Sequence, residues 1–363
     1  MKNDKIPKYQ LWDFKVSILY FKDNNQKIKW TEVMKLYKYT SWDIGRSILE
    51  SSHIALSKPE CFNDPFDCIP VFEQEEQKRA IEIMTGYVMD QKLLESLQTL
   101  KESSPQKRDR LLATVVLKEF GFIRMLVRLK PSIYEPYCSF KILKRMLRFL
   151  NFIGKNSPEL ETLKGKIEEA QSIVETQGFS VLEDLLNMHD RMYVGCLSAT
   201  YESILMWSYY GDDHKGVCIE IDIDEESEYL SKVQYQNERP AMQTEKLLRN
   251  YCGQLFANAG KENANATLLP LILQPYLTKA EGWKHEQEYR LIYLEEAFEK
   301  EKIEKRLCKD GEERYMCPVK ITKVFCGAAM PDNKREILKT ILSPEIKIVE
   351  MQISDTKYEL LGK

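Results

Sequence analysis

The clearest strand pattern in the chain lies at residues 216–223, which read GVCIEIDI. Branched apolar residues occupy every odd position from Val217 to Ile223, whereas Glu220 and Asp222 stand between them. Successive side chains of a strand point to opposite faces, so this alternation predicts a strand with one face in the core. The runs VKITKVFCG and IKIVEMQIS, near the end of the sequence, predict two further strands in the same way.

A helical period governs the middle of the chain. Between residues 73 and 190, long segments rich in Glu, Lys, Gln and Leu place apolar residues three and four positions apart, which is the spacing of one helical face. The breaks SSPQ, KPS and NSPE divide this region into about four to six predicted helices. We therefore predict an all-helical insertion at 73–190.

The regions on either side of the insertion mix strands and helices. Residues 1–72 contain the strand-like runs DFKVSILYF, KIKW and KLYKYT and one helix that begins near Ser41. Residues 191–363 continue the same mixture without strict alternation of strand and helix. The predicted fold class is therefore α+β, with a mixed or antiparallel sheet as its core and the helical insertion between its two parts.

Composition and charge exclude several classes. The chain has 363 residues, 43% hydrophobic and 30% charged, as in an ordinary globular protein. The formal net charge of -3 does not indicate nucleic acid as a partner, although a local basic patch stays open. No window approaches the roughly 18 apolar residues of a membrane span, and the first residues lack the apolar segment of a secretory signal. We expect a cytoplasmic protein without a membrane partner.

The cysteines and histidines do not form a metal-binding pattern. Nine cysteines are scattered without a Cys-x-x-Cys pair, and the four histidines lie far apart. A glycine-rich phosphate loop and a His-Glu-x-x-His motif are also absent from the sequence. We expect reduced thiols packed as small apolar residues, and no metal.

Polar and aromatic residues gather in four segments at predicted strand ends and turns, where binding groups tend to lie. The first is LYKYTS, a short strand with Tyr39 on one face and Lys38 on the other. The second is CFNDPFDC, in which Asn63, Asp64 and Asp67 crowd a tight turn. Turn chemistry explains the sequence Asn-Asp-Pro but not the additional Asp67, so we interpret the second segment as a candidate binding loop.

The third segment, MWSYYGDDHKG, is a helix dense in aromatic residues that ends in a polar turn. Core packing explains part of this aromatic stripe. Trp207 and Tyr210 are nevertheless candidates to line a slot for a flat heteroaromatic ring, with Lys215 or the turn amides facing phosphate.

The fourth segment is EGWKHEQEYRLIYL, residues 281–294. If one strand runs from Glu286 to Leu294, then Glu286, Glu288 and Arg290 share a face. Two interpretations follow: a surface ion pair that contributes little to stability, or a carboxylate held in a site by Arg290.

The four segments, in this order, resemble the bacterial family called domain of unknown function 2971. The resemblance is carried by LYKY, LSKPECFNDPFD, LSATYESILMWSYYGDDHKGVCIEID and KAEGWKHEQEYRL, and ITKVFCG fits the terminal strand pattern. It covers roughly residues 36–72 and 191–342. The family name supplies no reaction.

A second resemblance is to ADP-ribosyltransferase-like folds, whose opening strand carries a Tyr-plus-basic pair and precedes a helix ending in Ile-Leu. The Glu286-x-Glu288 pair is similar to the Glu-x-Glu of transferases that modify arginine. The resemblance implies a split sheet that holds the nicotinamide end of NAD. It places Lys38 against NAD, where an Arg or His is usual, with Tyr39, Tyr210 and Trp207 near the nicotinamide.

The first functional hypothesis is an NAD-consuming enzyme, acting by ADP-ribosyl transfer or NAD hydrolysis in phage defence or toxin action. Glu288 would stabilise an oxocarbenium-like transition state, Arg290 would orient it and Glu286 would be the base. This hypothesis requires Glu288 to converge on one cleft with Lys38, Asn63 and Trp207.

Two alternatives stay open. In a non-enzymatic sensor or interaction module, the polar residues of the four segments would be fully hydrogen-bonded with no open cavity between them. In a magnesium-dependent nuclease, Asp64, Asp67, Glu286 and Glu288 would surround one cation. The expected partner is a small nucleotide ligand, and a macromolecular target stays open.

Overall fold

The structure is a computed structural model that describes residues 33–136, 190–257, 273–308 and 311–363, with six further positions between 141 and 165. The runs DFKVSILYF and KIKW, and the helices predicted beyond residue 136 of the insertion, lie outside the described residues. Within the described part, the predicted α+β class with a mixed sheet is confirmed.

The described elements are thirteen strands, six α-helices and several short 3-10 helices. The strands are β1 (Val33–Thr40), β2 (His53–Leu56), β3 (Met192–Ser198), β4 (Val217–Asp224), β5 (Leu230–Lys232), β6 (Gln234–Gln236), β7 (Thr278–Ala280), β8 (Glu288–Leu294), β9 (Glu304–Leu307), β10 (Glu313–Pro318), β11 (Lys320–Cys326), β12 (Lys347–Ile353) and β13 (Leu360–Gly362). The helices are α1 (Trp42–Ser51), α2 (Gln74–Ser103), α3 (Lys107–Leu129), α4 (Ile204–Tyr209), α5 (Thr244–Ala257) and α6 (Asp332–Ile341).

The described chain divides into two compact units, one built around a sheet and one helical. The sheet unit contains the described residues of 25–70, 188–240 and 275–363, and the helical unit contains those of 71–187 and 241–274. In the helical unit α5 packs against α2 and α3. Its core includes Phe120, Phe256 and Tyr134, whose hydroxyl donates to Asp90 at 2.7 Å. Among the described helices, none has the length and apolarity to cross a membrane.

The main sheet of the other unit has the strand order β13-β12-β11-β4-β1-β3-β8-β5. Neighbouring strands are antiparallel except β11 and β12, which are parallel, so the sheet is mixed. The strand predicted from GVCIEIDI at 216–223 is found as β4 (Val217–Asp224) inside this sheet, with Ile219 and Ile221 fully buried. Glu220 on its other face is buried as well, because Lys35, Tyr37, Thr322 and Lys323 all donate to its carboxylate.

The sheet has a weak junction between β1 and β3. β1 pairs with β4 along its whole length from Val33 to Thr40, and β3 pairs with β8 from Met192 to Ser198. β1 and β3 pair at one position only, Tyr37 opposite Ser198. The two halves of the sheet therefore separate from this point toward the end of β1.

Gly45 in α1 provides a test of how closely this helix packs on the sheet. A Cβ at this position would stand 2.3 Å from Cγ2 of the fully buried Val217. We expect Gly45→Ala to lower the free energy of unfolding, because overpacking of about 1–3 kcal/mol outweighs the helix-propensity gain of about 1 kcal/mol. Urea denaturation measures this change.

The matched control is Gly282→Ala, in the same unit. A Cβ there meets no atom within 4 Å, so we expect a change within about 0.5 kcal/mol. A Gly45→Ala variant as stable as the wild type would contradict the packing described for α1.

Candidate functional site

Glu288 is the first residue of β8, and the segment before it is not a strand. Residues Glu281–Glu286 form a 3-10 helix, and Gln287 has a left-handed backbone with φ 45°. The prediction of one continuous strand from Glu286 to Leu294 is therefore wrong at its first two positions. The turn is held by Ser198, whose hydroxyl donates to the Glu286 carbonyl at 2.7 Å.

Five charged side chains meet in the interior beside this turn. They are the carboxylates of Asp67, Glu286 and Glu288 and the cations of Lys279 and Arg290, all of them at most 7% exposed. Lys279 Nζ lies 2.6 Å from Glu286 Oε2, 3.3 Å from Glu288 Oε2 and 3.5 Å from Asp67 Oδ2. One lysine thus joins carboxylates from the 62–68 loop, the 3-10 helix and β8.

Arg290 is the most buried member of this cluster, and all of its five N–H donors are used. Its Nε and Nη2 donate to the two oxygens of Glu288 at 2.8 and 3.0 Å, and Nη2 also donates to Asp67 at 2.7 Å. Its Nη1 donates to the Tyr276 carbonyl at 2.7 Å and to the Cys68 thiol at 2.9 Å. Arg290 therefore fixes the positions of Asp67 and Glu288.

Neighbouring charges stabilise the ionised forms of Glu288 and Lys279 although both side chains are buried. Burial alone would raise the pKa of Glu288, but Arg290 and Lys279 outweigh it and lower this pKa from 4.5 to about 2. Burial likewise opposes the charge of Lys279, but Glu288 and Glu286 raise its pKa above the usual value. The thiols of Cys68 and Cys196 differ, because burial raises their pKa values and keeps them protonated.

Glu286 also has an aromatic partner. The hydroxyl of Tyr210 donates to Glu286 Oε1 at 2.7 Å and accepts a hydrogen bond from the Asn63 amide at 3.4 Å. Burial and the contact with Glu286 raise the pKa of Tyr210, so this hydroxyl stays protonated as a donor. The chain of contacts joins the 62–68 loop to α4 and the 3-10 helix.

A cavity of about 310 Å³ opens where β1 and β3 separate. Lys38 of β1 bridges the two strands here, because its side-chain amine donates to the Cys196 carbonyl of β3 at 3.0 Å. In a regular sheet a main-chain amide of β1 would make this bond. The backbone of Ser57 pairs with Val194 on the same side of β3. The cavity is lined by Lys38, Tyr39, Ala55, Ser57, Cys61, Phe62, Asn63, Asp67, Val194, Cys196, Leu197, Ser198, Met206, Tyr210, Lys279, Glu286 and Glu288.

The cavity brings together most of the residues singled out in the sequence. Glu286, Glu288, Lys38 and Asn63 line it, and Tyr39, Asp67 and Tyr210 complete this group. Arg290 lies directly behind Glu288. The sensor hypothesis in its strict form, with polar residues that enclose no cavity, is therefore wrong.

Three of the predicted ligand-binding residues do not line the cavity, so the convergence that the first functional hypothesis required is found for Lys38, Asn63 and Glu288 but not for Trp207. Trp207 is fully buried in a hydrophobic cluster, with its indole N–H on the Tyr201 carbonyl and its ring against Tyr39. Asp64 accepts from the Phe66 amide at 2.9 Å, so its carboxylate shapes the turn. Lys215 is exposed, with Asp213 as its nearest charged partner at 3.9 Å.

The arrangement does not suit the magnesium hypothesis. Asp64 lies outside the cavity wall, and the other three carboxylates are engaged by Lys279 and Arg290. In the described part of the chain, no group of three or more His, Cys, Asp or Glu side chains could hold a metal ion.

Residues 206–291 match the model of a family described as a protein of unknown function, DUF2971. The match covers about a quarter of the chain, so the similarity to this family is shown for that segment. It confirms the first resemblance over these residues, whereas the ADP-ribosyltransferase-like resemblance stays a prediction. No curated protein and no solved structure matches the chain.

The DUF2971 match contains Tyr210, Lys279, Glu286, Glu288 and Arg290, and thus most of the charged cluster. Lys279 was missed as a site residue by the sequence analysis. The three-residue strand β7 that carries it has no pattern that distinguishes a buried lysine from a solvated one. The one available signal was its place at the start of the motif KAEGWKHEQEYRL.

Arg290→Met tests the role of the cluster in stability. The substitution removes the guanidinium and leaves Glu288 and Asp67 without their main partner in the interior. We expect a loss of about 3–5 kcal/mol in the free energy of unfolding, measured by urea denaturation. The control is Lys300→Met, whose exposed ion pair with Glu228 predicts a loss of about 0–1 kcal/mol. Equal losses in the two variants would contradict this role.

The lowered pKa of Glu288 predicts a loss of stability in acid. Its ionised form is stabilised in the folded state, so its contribution is complete above pH 4.5 and is lost as the pH falls to about 2. We expect Glu288→Gln to lower the slope of unfolding free energy against pH in this window. Urea titrations between these pH values measure both slopes, and equal slopes would contradict the assignment.

Proposed function

We propose that the sheet unit binds the nicotinamide–ribose end of NAD in this cavity and cleaves the bond between the two groups. The observation that carries the proposal is the convergence of Lys38, Asn63, Tyr210 and Glu288, from four separate segments, on one cavity at the divergence of two strands. The position agrees with what the ADP-ribosyltransferase-like resemblance implies, a ligand held where a sheet splits.

The size of the cavity limits what enters it. At about 310 Å³ it is at the small end of ligand sites, and this volume suits a single ring with part of a ribose. The adenine end of a dinucleotide would remain outside. Aromatic side chains of Phe62, Tyr39 and Tyr210 line the cavity and supply the apolar surface that Trp207 does not.

Glu288 is the residue to which we assign stabilisation of the transition state. Cleavage breaks the bond between ribose C1′ and the ring nitrogen, and neutral nicotinamide leaves with the bonding electron pair. Positive charge then develops on the ribose, and an ionised carboxylate beside it lowers the barrier. Arg290 is a positioning residue, since it touches Glu288 rather than the cavity.

Glu286 is the candidate base. The new bond to C1′ forms from the oxygen of water or of an acceptor hydroxyl, and the proton of that group passes to the carboxylate. Tyr210 and Lys279 hold Glu286 in place at 2.7 and 2.6 Å. A role of this reaction in phage defence or toxin action stays a prediction.

One observation favours a second candidate, a domain that binds the nucleotide without cleaving it. Arg290 donates to both oxygens of Glu288, and Lys279 lies 3.3 Å from one of them. These contacts reduce the negative charge that Glu288 presents to a ribose. A sensor with the same pocket would bind NAD and release no nicotinamide.

Incubation of the purified protein with NAD tests both candidates. We expect nicotinamide release by the wild type and a decrease of at least about 10²-fold in Glu288→Gln, as for the loss of one electrostatic stabiliser. The control Glu304→Gln alters an exposed carboxylate paired with Arg306 and should leave the rate unchanged. Binding of NAD by calorimetry without release would favour the sensor, and absence of both binding and release would refute the proposal.

A further inference from the structure

The cavity meets solvent along one segment of the chain. Among the residues that line it, only Ser57, Cys61 and Asn63 are exposed, and all three belong to residues 57–63. The other lining residues are buried or half-buried. We call the side formed by Ser57, Cys61 and Asn63 the mouth of the cavity.

The two carboxylates assigned to the reaction have almost no contact with bulk solvent. Glu286 is 3% exposed and Glu288 is 4% exposed, although both line the cavity. Glu286 is covered further by a chain of hydrogen bonds, because its Oε1 accepts from the Tyr210 hydroxyl, which in turn accepts from the Asn63 amide at the mouth. A group that comes from outside therefore reaches either carboxylate only through the mouth and the cavity.

In the proposed reaction NAD itself occupies this path. The nicotinamide ring and part of its ribose fill most of the cavity of about 310 Å³, and the rest of the dinucleotide extends outward through the mouth. A water molecule takes about 30 Å³ of liquid volume and fits beside the ligand. The side chain of a second macromolecule would have to enter through a mouth that the dinucleotide already fills.

We propose that the second substrate of this site is water, so that the sheet unit hydrolyses NAD and does not transfer ADP-ribose to a protein. The inference rests on the proposed function and deepens it by naming the acceptor. The bond between ribose C1′ and the ring nitrogen breaks, and nicotinamide leaves with the electron pair. The oxygen of a water bonds to C1′, and a proton of that water passes to Glu286 and then to solvent. The products are nicotinamide, free ADP-ribose and a proton.

The fate of the ADP-ribose tests the proposal on the wild-type protein. NAD is incubated with the protein and either methanol, a small alcohol, or agmatine, a guanidine that resembles an arginine side chain. We expect free ADP-ribose, with its methyl glycoside when methanol is present, and at least about tenfold less adduct per mole of agmatine, because the larger acceptor does not fit beside the ligand. Mass spectrometry measures the products and the protein. An agmatine adduct as frequent as the methyl glycoside, or ADP-ribose attached to the protein, overturns the proposal.

Cys61 provides a test of the path through the mouth. Its thiol is exposed, so N-ethylmaleimide adds a bulky group at the mouth, and mass spectrometry verifies the modification. We expect this treatment to abolish nicotinamide release by the wild type. The control Cys61→Ser has no thiol at this position and should keep its own starting rate after the same treatment. Equal effects on the two proteins overturn the path on which the proposal depends.

The inference and the proposed function fail in different ways. If nicotinamide is released while ADP-ribose becomes attached to agmatine or to the protein, cleavage of NAD stands and water as the acceptor is refuted. If no nicotinamide is released, the proposed cleavage is refuted and the inference with it.

Discussion

The sheet unit depends on the compensation of charge around Arg290. A guanidinium without solvent contact is tolerated only when each donor is satisfied, and here two carboxylates, a carbonyl and a thiol satisfy all of them. These partners come from three parts of the chain: the 62–68 loop, the segment that precedes β7, and strand β8. Arg290 therefore joins parts of the chain that are more than 200 residues apart in sequence, and the wall of the cavity is built on that connection.

Such a cluster limits the substitutions that the sheet unit tolerates at its charged positions. Lys279 is shared by three carboxylates, so the removal of any one of these charges changes the electrostatic surroundings of the others. Some residues that hold the fold together also line the cavity. A variant that loses binding is informative only when its own folding has been measured.

The types of many elements were accessible from periodicity, because alternation along β4 predicts a strand and three- and four-residue spacing along α2 and α3 predicts helices. The burial of Glu220 on the polar face of β4 was not, because it depends on Lys35 and Lys323 from the neighbouring strands. The convergence of distant segments could be inferred only from their common occurrence in a family. The break before β8 could not be predicted, since a left-handed backbone at Gln287 has no mark in the residue type. Trp207 was misplaced for a related reason: an aromatic residue on a helix looks the same whether it faces a core or a ligand.

The contact between Lys38 and the Cys196 carbonyl joins β1 and β3 through a side chain instead of through the backbone. A bond between two main chains breaks only when a strand moves, whereas this one breaks when a side chain changes its rotamer. β1 remains anchored to β4 and β3 to β8 while that happens. The space between the strands can therefore be enlarged at the loss of a single hydrogen bond, with the register of every strand preserved.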